Sequence, residues 1–200
     1  MTLLTIAEEV ALDVGVSVPT IVAASTLREI QELFSFINDA GEEIARRVAW
    51  GDLTAEATIT GDGTADPQTV NANLSRIAEG ASVFTSGGAI IRPLTRAEWT
   101  MTAVEGTPRY YLLEGTEIRF WPYLANAATA TVRYQTKAWT SAGGVAFAAD
   151  SETALFPEDV LTKGSIVRWR RQKGMPYQDQ EAEYEAALSQ YAEFDDRSRL

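Results

Sequence analysis

The sequence predicts an α+β protein in which a helical bundle, built from both chain ends, carries an inserted β-rich domain. Two changes of hydrophobic period support this prediction. Helical spacing ends at Trp50 and returns near Phe156, and the chain between them alternates with a period of two, with Gly and Pro at the turns. We therefore assign residues 1–50 and 151–200 to an α-helical bundle and residues 51–150 to a β-rich insertion domain.

Two helices are predicted before Trp50. Thr5 with Glu8 matches a capping box, and Gly15 follows the apolar face as a stop. Thr26 with Glu29 makes a second capping box, followed by the strongest periodicity of the chain: Leu27, Ile30, Phe34, Ile37, Gly41, Ile44 and Val48. A glycine in such a seam predicts the close approach of another backbone, and we interpret the seam as internal to the bundle rather than as a two-chain coiled coil.

The β-rich insertion contains three clear strand signals. Residues 53–59 alternate between apolar and polar, residues 110–120 form a predicted hairpin about Glu114-Gly115, and residues 130–135 place their apolar side chains on one face. Thr95 with Glu98 forms a third capping box, which predicts a short helix carrying Trp99.

The end of the chain predicts a helical hairpin. Pro157 fits the first position of a helix, Gly174 fits its left-handed end, and Pro176 prevents continuation. In the second helix an aromatic stripe recurs at steps of four and three: Tyr177, Glu181, Tyr184, Leu188 and Tyr191. This stripe requires a partner surface, and the polar tail at residues 195–200 lacks helical periodicity, so we expect the tail to be mobile in the free protein.

The predicted hairpin is electrically polarised. Residues 157–175 carry five basic and two acidic groups, whereas residues 176–200 carry two basic and seven acidic groups. The two helices could pair along complementary surfaces, or the charges could face a partner subunit. The candidate partner interface comprises Arg168, Trp169, Arg170, Arg171, Lys173, Tyr184, Leu188, Tyr191, Phe194 and Leu200. Its arginines and Trp169 could alternatively bind phosphates and stack a base.

Composition excludes several classes of function. The chain has no Cys and no His, which removes disulfides, thiolate chemistry and the commonest general base and metal ligand. A net charge of -11 repels nucleic-acid phosphates at long range, so we expect no sequence-specific nucleic-acid binding. No apolar run reaches the length of a membrane span and the first residues do not resemble a signal peptide, so we expect a soluble, intracellular protein without membrane contact.

Two groups of oxygen ligands could carry chemistry. The loop of residues 61–66 could bind calcium, but its spacing departs from the EF-hand pattern and a surface turn is the preferred interpretation. Asp150, Glu152, Glu158 and Asp159 could supply the carboxylate pair of a carbohydrate hydrolase, a reaction that needs no His. A small β-rich binding module is a further alternative. We expect no catalytic residue, no metal and no cofactor.

Three fragments resemble tailed-bacteriophage head-to-tail adaptor (connector) proteins. They are residues 92–99 (RPLTRAEW), residues 108–111 with 118–122 (PRYY and IRFWP), and residues 156–159 with 168–174 and 183–188 (FPED, RWRRQKG and EYEAAL). Trp50 is similar to the tryptophan that closes the second helix in that family. The chain departs from the family pattern within residues 61–91, where it has Asn73-Leu74-Ser75-Arg76-Ile77 in place of a Pro-Asp-Phe type segment.

The resemblance implies a structural virion protein without catalysis. Members of this family form homo-oligomeric rings, usually of twelve copies, that bind the portal protein on one side and tail or tail-terminator proteins on the other. Such a ring sits at the head-tail interface of the virion after assembly in the host cytoplasm, and the DNA passes through it.

Overall fold

A computed structural model describes residues 1–80, 82–100 and 103–197. Within these ranges the chain forms four α-helices and two β-sheets, which confirms the α+β class. The chain divides into two compact units. The helical unit comprises Met1–Leu53 together with the chain from Lys137 onward, and the β unit comprises Thr54–Thr136.

The helical unit contains α1 (Leu3–Val14), α2 (Arg28–Arg47), α3 (Glu158–Gln172) and α4 (Gln178–Arg197). Helix α3 contacts each of the other three helices. Their shared core is built from aliphatic side chains of α1, α2 and α3 with Trp169, Tyr184 and Leu188. Helices at both ends of the chain therefore pack around α3, which has neighbours on three sides.

The helix ends agree with the sequence patterns only in part. Helix α1 begins after Thr2, whose hydroxyl accepts a hydrogen bond from the Thr5 amide, so the cap lies three residues before the predicted one. The predicted capping box at Thr26 is wrong, because α2 begins at Arg28 after Leu27, which makes no side-chain cap. Pro157 is the cap of α3 and not its first residue. These shifts are small, because helix ends are set by local hydrogen bonds that several neighbouring residues can supply.

The predicted stops at Gly15 and Gly174 are confirmed. Both residues adopt the left-handed conformation, with φ of 75° and 67° respectively. This conformation is costly for residues with a Cβ atom and places the backbone amide where it can bond to the last turn of the helix. The Gly15 amide does so, donating to the carbonyl oxygen of Ala11.

Gly41 is a close-contact position, but the predicted neighbour is wrong. A Cβ atom at Gly41 would lie 2.4 Å from both Cη2 and Cζ2 of Trp139. The group that approaches is therefore an indole ring and not another backbone. Trp139 is fully buried, and its Nε1 donates a hydrogen bond of 2.7 Å to the carbonyl oxygen of Val145. Residues 137–150, which the period change assigned to the β insertion, thus group with the helices.

The described residues of the β unit form eight strands, several of them short. They are β1 (Thr54–Thr60), β2 (Gln68–Thr69), β3 (Leu74–Ile77), β4 (Val83–Thr85), β5 (Arg92–Pro93), β6 (Tyr110–Glu114), β7 (Glu117–Trp121) and β8 (Thr129–Thr136). In one sheet β8 pairs antiparallel with β1 along one edge and with β3 and β4 along the other. The second sheet has the order β2-β7-β6-β5, in which β5 and β6 are parallel.

The clearest strand predictions are confirmed. Strands β6 and β7 form the expected hairpin, with Gly115 at φ 66° in its turn. On β8, Ala130, Val132 and Tyr134 are buried on one face, as their alternation predicts. Residues 61–91 contribute strands β2, β3 and β4 to the two sheets.

The short helix predicted at Thr95 is wrong. The Glu98 carboxylate accepts hydrogen bonds from the amide and the hydroxyl of Thr95, at 2.8 and 2.7 Å, as in a capping box. Residues 96–98 nevertheless form only a turn. A cap alone does not produce a helix, because the first turn is costly to form and only later turns recover that cost.

Replacing Gly41 by Leu tests the contact with Trp139. We expect the free energy of unfolding to fall by about 1 to 3 kcal/mol, since the new side chain overpacks the core. Glycine is a poor helix former, so the gain in helix propensity, about 1 kcal/mol, opposes this loss. Urea denaturation measures the net effect.

Ser35→Leu is the matched control, because Ser35 is exposed on the same helix. We expect its unfolding free energy to remain within about 0.5 kcal/mol of the wild type. A Gly41→Leu protein more stable than the wild type would contradict the close contact.

Candidate functional site

The basic residues in the second half of α3, together with Lys173 just after its last residue, form ion pairs within the chain. Their partners lie on three different helices. The pairs are Arg168 with Glu43, Arg170 with Asp13 at 2.9 Å, Arg171 with Glu181 at 2.5 Å, and Lys173 with Glu32 at 2.5 Å. Of these four cations, only Arg171 pairs with a described residue of the acidic C-terminal segment. The polarity of the hairpin is thus neutralised mainly by α1 and α2.

Three residues of the candidate interface lie in the hydrophobic core. Trp169, Tyr184 and Leu188 are 3%, 5% and 4% exposed. The Trp169 ring meets Phe36 edge to face, with centroids 5.9 Å apart, and Lys173 Nζ lies 4.8 Å from the Trp169 ring centroid. These side chains hold the helices together, which leaves little of their surface for a base or for a partner protein.

The Tyr184 ring packs against Gly164, a small residue of α3. A Cβ atom at Gly164 would lie 3.1 Å from the Tyr184 ring and 3.6 Å from the side chain of Ala40, so small residues open the space into which the ring fits. Burial, together with the Glu43 carboxylate nearby, raises the pKa of Tyr184 to about 12. The phenol therefore stays neutral at physiological pH and serves as the aromatic contact between α3 and α4.

Arg47 links α2 to α4. Its guanidinium group donates two hydrogen bonds to the Glu185 carboxylate, at 2.6 and 2.7 Å, and a third to Glu43 at 3.2 Å. The bonds from Arg47 lower the pKa of Glu185. Because Glu43 also pairs with Arg168, a continuous network of ion pairs links α4, α2 and α3.

A groove of about 320 Å³ lies along these charges. Its lining comes from α2, α3 and α4, with Phe36, Val167 and Tyr184 as apolar contacts and Asp39, Arg168 and Arg171 among the charged ones. The lining thus mixes apolar and charged side chains, and Arg168 and Arg171 are already paired within the chain.

The end of α4 carries the most exposed part of the candidate interface. Phe194 is 72% exposed, while Tyr191 packs partly against the core. The tail predicted to be non-helical from Asp195 is helical as far as Arg197, and Asp195 Oδ2 accepts a hydrogen bond of 2.9 Å from the Gly51 amide. Its mobility in the free protein stays a prediction. Leu200 lies outside the described residues.

The carboxylates considered for carbohydrate hydrolysis have structural partners. Asp150 accepts hydrogen bonds from the amides of Val22 and Ala23, and Glu158 pairs with the amino group of Met1. Asp159 pairs with Lys163 one helical turn later, and Glu152 accepts from the Ala148 amide at 3.3 Å. Each carboxylate is thus used to fix a loop or a helix end.

The loop considered for calcium is a hydrogen-bonded turn. Asp62 Oδ1 accepts from both the amide and the hydroxyl of Thr64, and these bonds lower the pKa of Asp62. Within the part of the chain that the structure describes, no group of three or more potential metal ligands converges. No helix among the described residues is long and apolar enough to cross a bilayer.

Comparison with protein families decides the identity of the chain. The family model described as SU10 adaptor protein matches residues 1–200. The chain belongs to the SU10 adaptor protein family. This is a family of phage head-to-tail adaptors, so the resemblance found in the sequence is confirmed. No curated protein sequence matches the chain.

Membership of the SU10 adaptor protein family gives the site its context. The family is structural, and its members are virion components at the head-tail junction. The ion pairs and aromatic contacts described above accordingly serve architecture. The paired cations were visible in the sequence as a cluster, but their partners on α1 and α2 were not, because those carboxylates lie more than 120 positions away in the chain.

Replacing Glu185 by Gln tests the link between α2 and α4. A depressed carboxyl pKa stabilises the fold above the ordinary pKa and ceases to do so as the pH falls through the folded value. We therefore expect Glu185→Gln to lower the unfolding free energy at pH 7 by up to about 1 kcal/mol, because the pair is half exposed.

The difference from the wild type should shrink as the pH falls below about 4.3. Glu183→Gln, which makes the same charge change at an exposed position of α4, is the control and should change stability little at either pH. Equal effects of the two substitutions at pH 7 would refute the pairing.

Proposed function

We propose that this adaptor protein forms a closed homo-oligomeric ring, of twelve copies, between the portal protein and the tail. The ring binds the portal on one side and tail or tail-terminator proteins on the other, and its lumen lets the genome pass. The helical bundle drawn from both chain ends is the body of each subunit. The observation that carries this proposal is the match of the SU10 adaptor protein model to residues 1–200.

The use of the charged side chains supports a structural role. The carboxylates that could have served a hydrolase fix loops and helix ends, and the cations of α3 join α3 to its three neighbours. Ion pairs between helices of this kind suit a protein that transmits load between partners. We therefore propose that the protein has no catalytic activity.

The charge of the chain supports a passage through which DNA moves without being bound tightly. Each free Lys or Arg that meets a phosphate adds a salt-dependent attraction and would retard the genome. Here Arg168, Arg170 and Arg171 are paired with carboxylates of the same chain, and the net charge is -11. DNA therefore passes the ring without a strong binding site on these arginines.

Electron microscopy of negatively stained protein tests the proposed ring. The purified protein, alone and mixed with portal protein, is expected to give closed rings, with the mixture showing the ring attached to one end of the portal. A protein that remains monomeric in both samples would contradict the proposed function.

Fluorescence anisotropy with duplex DNA tests the passage. We expect no binding at about 0.15 M salt, because the paired arginines and the acidic surface offer the phosphates no net attraction. The triple variant Arg168→Gln, Arg170→Gln, Arg171→Gln is the control and should behave as the wild type. If the wild type bound duplex DNA with micromolar affinity and the triple variant did not, the proposed passage without DNA binding would be wrong. The protein would then have a DNA-binding role.

A further inference from the structure

One bond in the turn between β1 and β2 is chemically unlike the rest of the chain. Asp62 precedes Gly63 there, and nowhere else in the sequence does glycine follow an Asp or an Asn. Glycine has no Cβ atom, so little hinders its amide nitrogen from approaching the side chain of the residue before it. Asp62 is exposed, and Gly63 adopts φ of 77°. The pair is therefore open to a reaction of the Asp62 side chain with its own backbone.

That reaction is succinimide formation followed by hydrolysis. The Gly63 nitrogen bonds to Cγ of the protonated Asp62 side chain, and the hydroxyl group of the acid leaves with the amide proton as water. Water then opens the ring by breaking the bond between this nitrogen and the main-chain carbonyl carbon of Asp62. Gly63 remains attached through Cγ, while the former main-chain carbonyl becomes a free carboxylate. The net change is an isomerisation that lengthens the backbone by one atom and consumes no oxidant or reductant.

Thr64 holds the Asp62 carboxylate away from this reaction. Asp62 Oδ1 accepts hydrogen bonds from the Thr64 amide at 2.9 Å and from the Thr64 hydroxyl at 2.8 Å, so the carboxylate is held at residue 64 and not at the Gly63 nitrogen. Both bonds favour the ionised form and lower the pKa of Asp62. An ionised carboxylate reacts poorly because it has no hydroxyl group to lose. Thr64 Oγ1 also accepts a hydrogen bond of 3.3 Å from the Asp66 amide, which fixes its own position.

The surrounding structure determines what an extra backbone atom disturbs. Before the turn Gly61 is fixed, because its amide donates to the Ala128 carbonyl oxygen at 2.7 Å and its carbonyl oxygen accepts from the Ala127 amide at 2.9 Å. After the turn β2 has two residues, and the Val70 amide next donates to the Thr116 carbonyl oxygen at 2.9 Å. The extra atom is therefore accommodated between Gly61 and β2, and the pairing of β2 with β7 loosens first.

We propose that Asp62 is a site of backbone isomerisation in the β unit and that Thr64 is the positioning residue that sets its rate. The reaction needs only water, and the product has the same mass as the original chain. The inference concerns the β unit of a single chain and stands whether or not the chain forms the proposed ring.

Ageing of the purified full chain at neutral pH tests the site. Protein L-isoaspartyl methyltransferase with labelled S-adenosylmethionine counts isoaspartyl residues, and endoproteinase Asp-N locates them, because it cleaves before Asp and not before isoaspartate. We expect isoaspartate to accumulate at Asp62, slowly in the wild type. Thr64→Val, which removes the hydroxyl bond, should accelerate this accumulation by about twofold to tenfold, the factor that corresponds to one ordinary hydrogen bond.

Three further variants serve as controls. Thr64→Ser keeps both the amide and a hydroxyl group and should age at the wild-type rate. Asp62→Glu keeps the charge but requires a larger ring, which forms much more slowly, so the signal at this position should be lost. Thr58→Val removes the hydroxyl of an exposed threonine on β1 and should not differ from the wild type. Circular dichroism confirms that each variant is folded.

Hydrogen exchange of the Val70 amide reports the effect on β2, and we expect faster exchange in aged than in fresh protein. An unchanged exchange rate in isomerised protein would overturn the loosening of β2. Equal rates of isoaspartate formation in the wild type and in Thr64→Val would overturn the role of Thr64. Isoaspartate that forms mainly at other positions, or that forms in none of the variants, would overturn the site itself.

Discussion

The helical unit depends on the packing of Trp139 into the space that Gly41 leaves open. The indole lies 4.7 Å from the ring of Phe147 and 5.6 Å from that of Phe156, measured between centroids, and Phe156 in turn stacks on Trp50 at 5.8 Å. Trp50 is near the point where the chain leaves the helices, and Trp139 is near the point where it returns. These rings therefore bring together residues that the β unit separates in sequence, and they place the start of α3 against α2.

Ion pairs then orient the helices around α3. A cation near the end of a helix meets the negative end of the helix dipole, and here each of these cations also reaches a carboxylate on a neighbouring helix. Exposed pairs of this kind contribute little individually, about 1 kcal/mol or less. Four of the 17 Lys and Arg residues of the chain make such pairs between α3 or its C-terminal end and the neighbouring helices.

Local patterns predicted the elements better than their partners. Periodicity found Ile30, Ile37, Gly41 and Ile44 on the buried face of α2, and it found the faces of β8, because buried side chains repeat at fixed spacing along one element. It was wrong for Leu27, which precedes α2 and is 67% exposed. Periodicity could not identify Trp139 as the neighbour of Gly41, because the spacing of residues around one of them carries no information about the position of the other. The same reason applies to Tyr184 on Gly164 and to the partners of the α3 cations. Capping patterns failed where a single turn was not extended, as at Thr95, or where a residue three positions earlier supplied the cap, as Thr2 does for α1.

A double-mutant cycle between Gly41→Leu and Trp139→Ala, measured by urea denaturation, tests the contact on which the helical unit depends. If the indole fills the space at Gly41, the leucine should be much less harmful once the ring is removed, because it can occupy the cavity that Trp139→Ala creates. The two changes should then be non-additive, with a coupling free energy of about 0.5 to 3 kcal/mol. Additive effects would show that Trp139 and Gly41 do not interact.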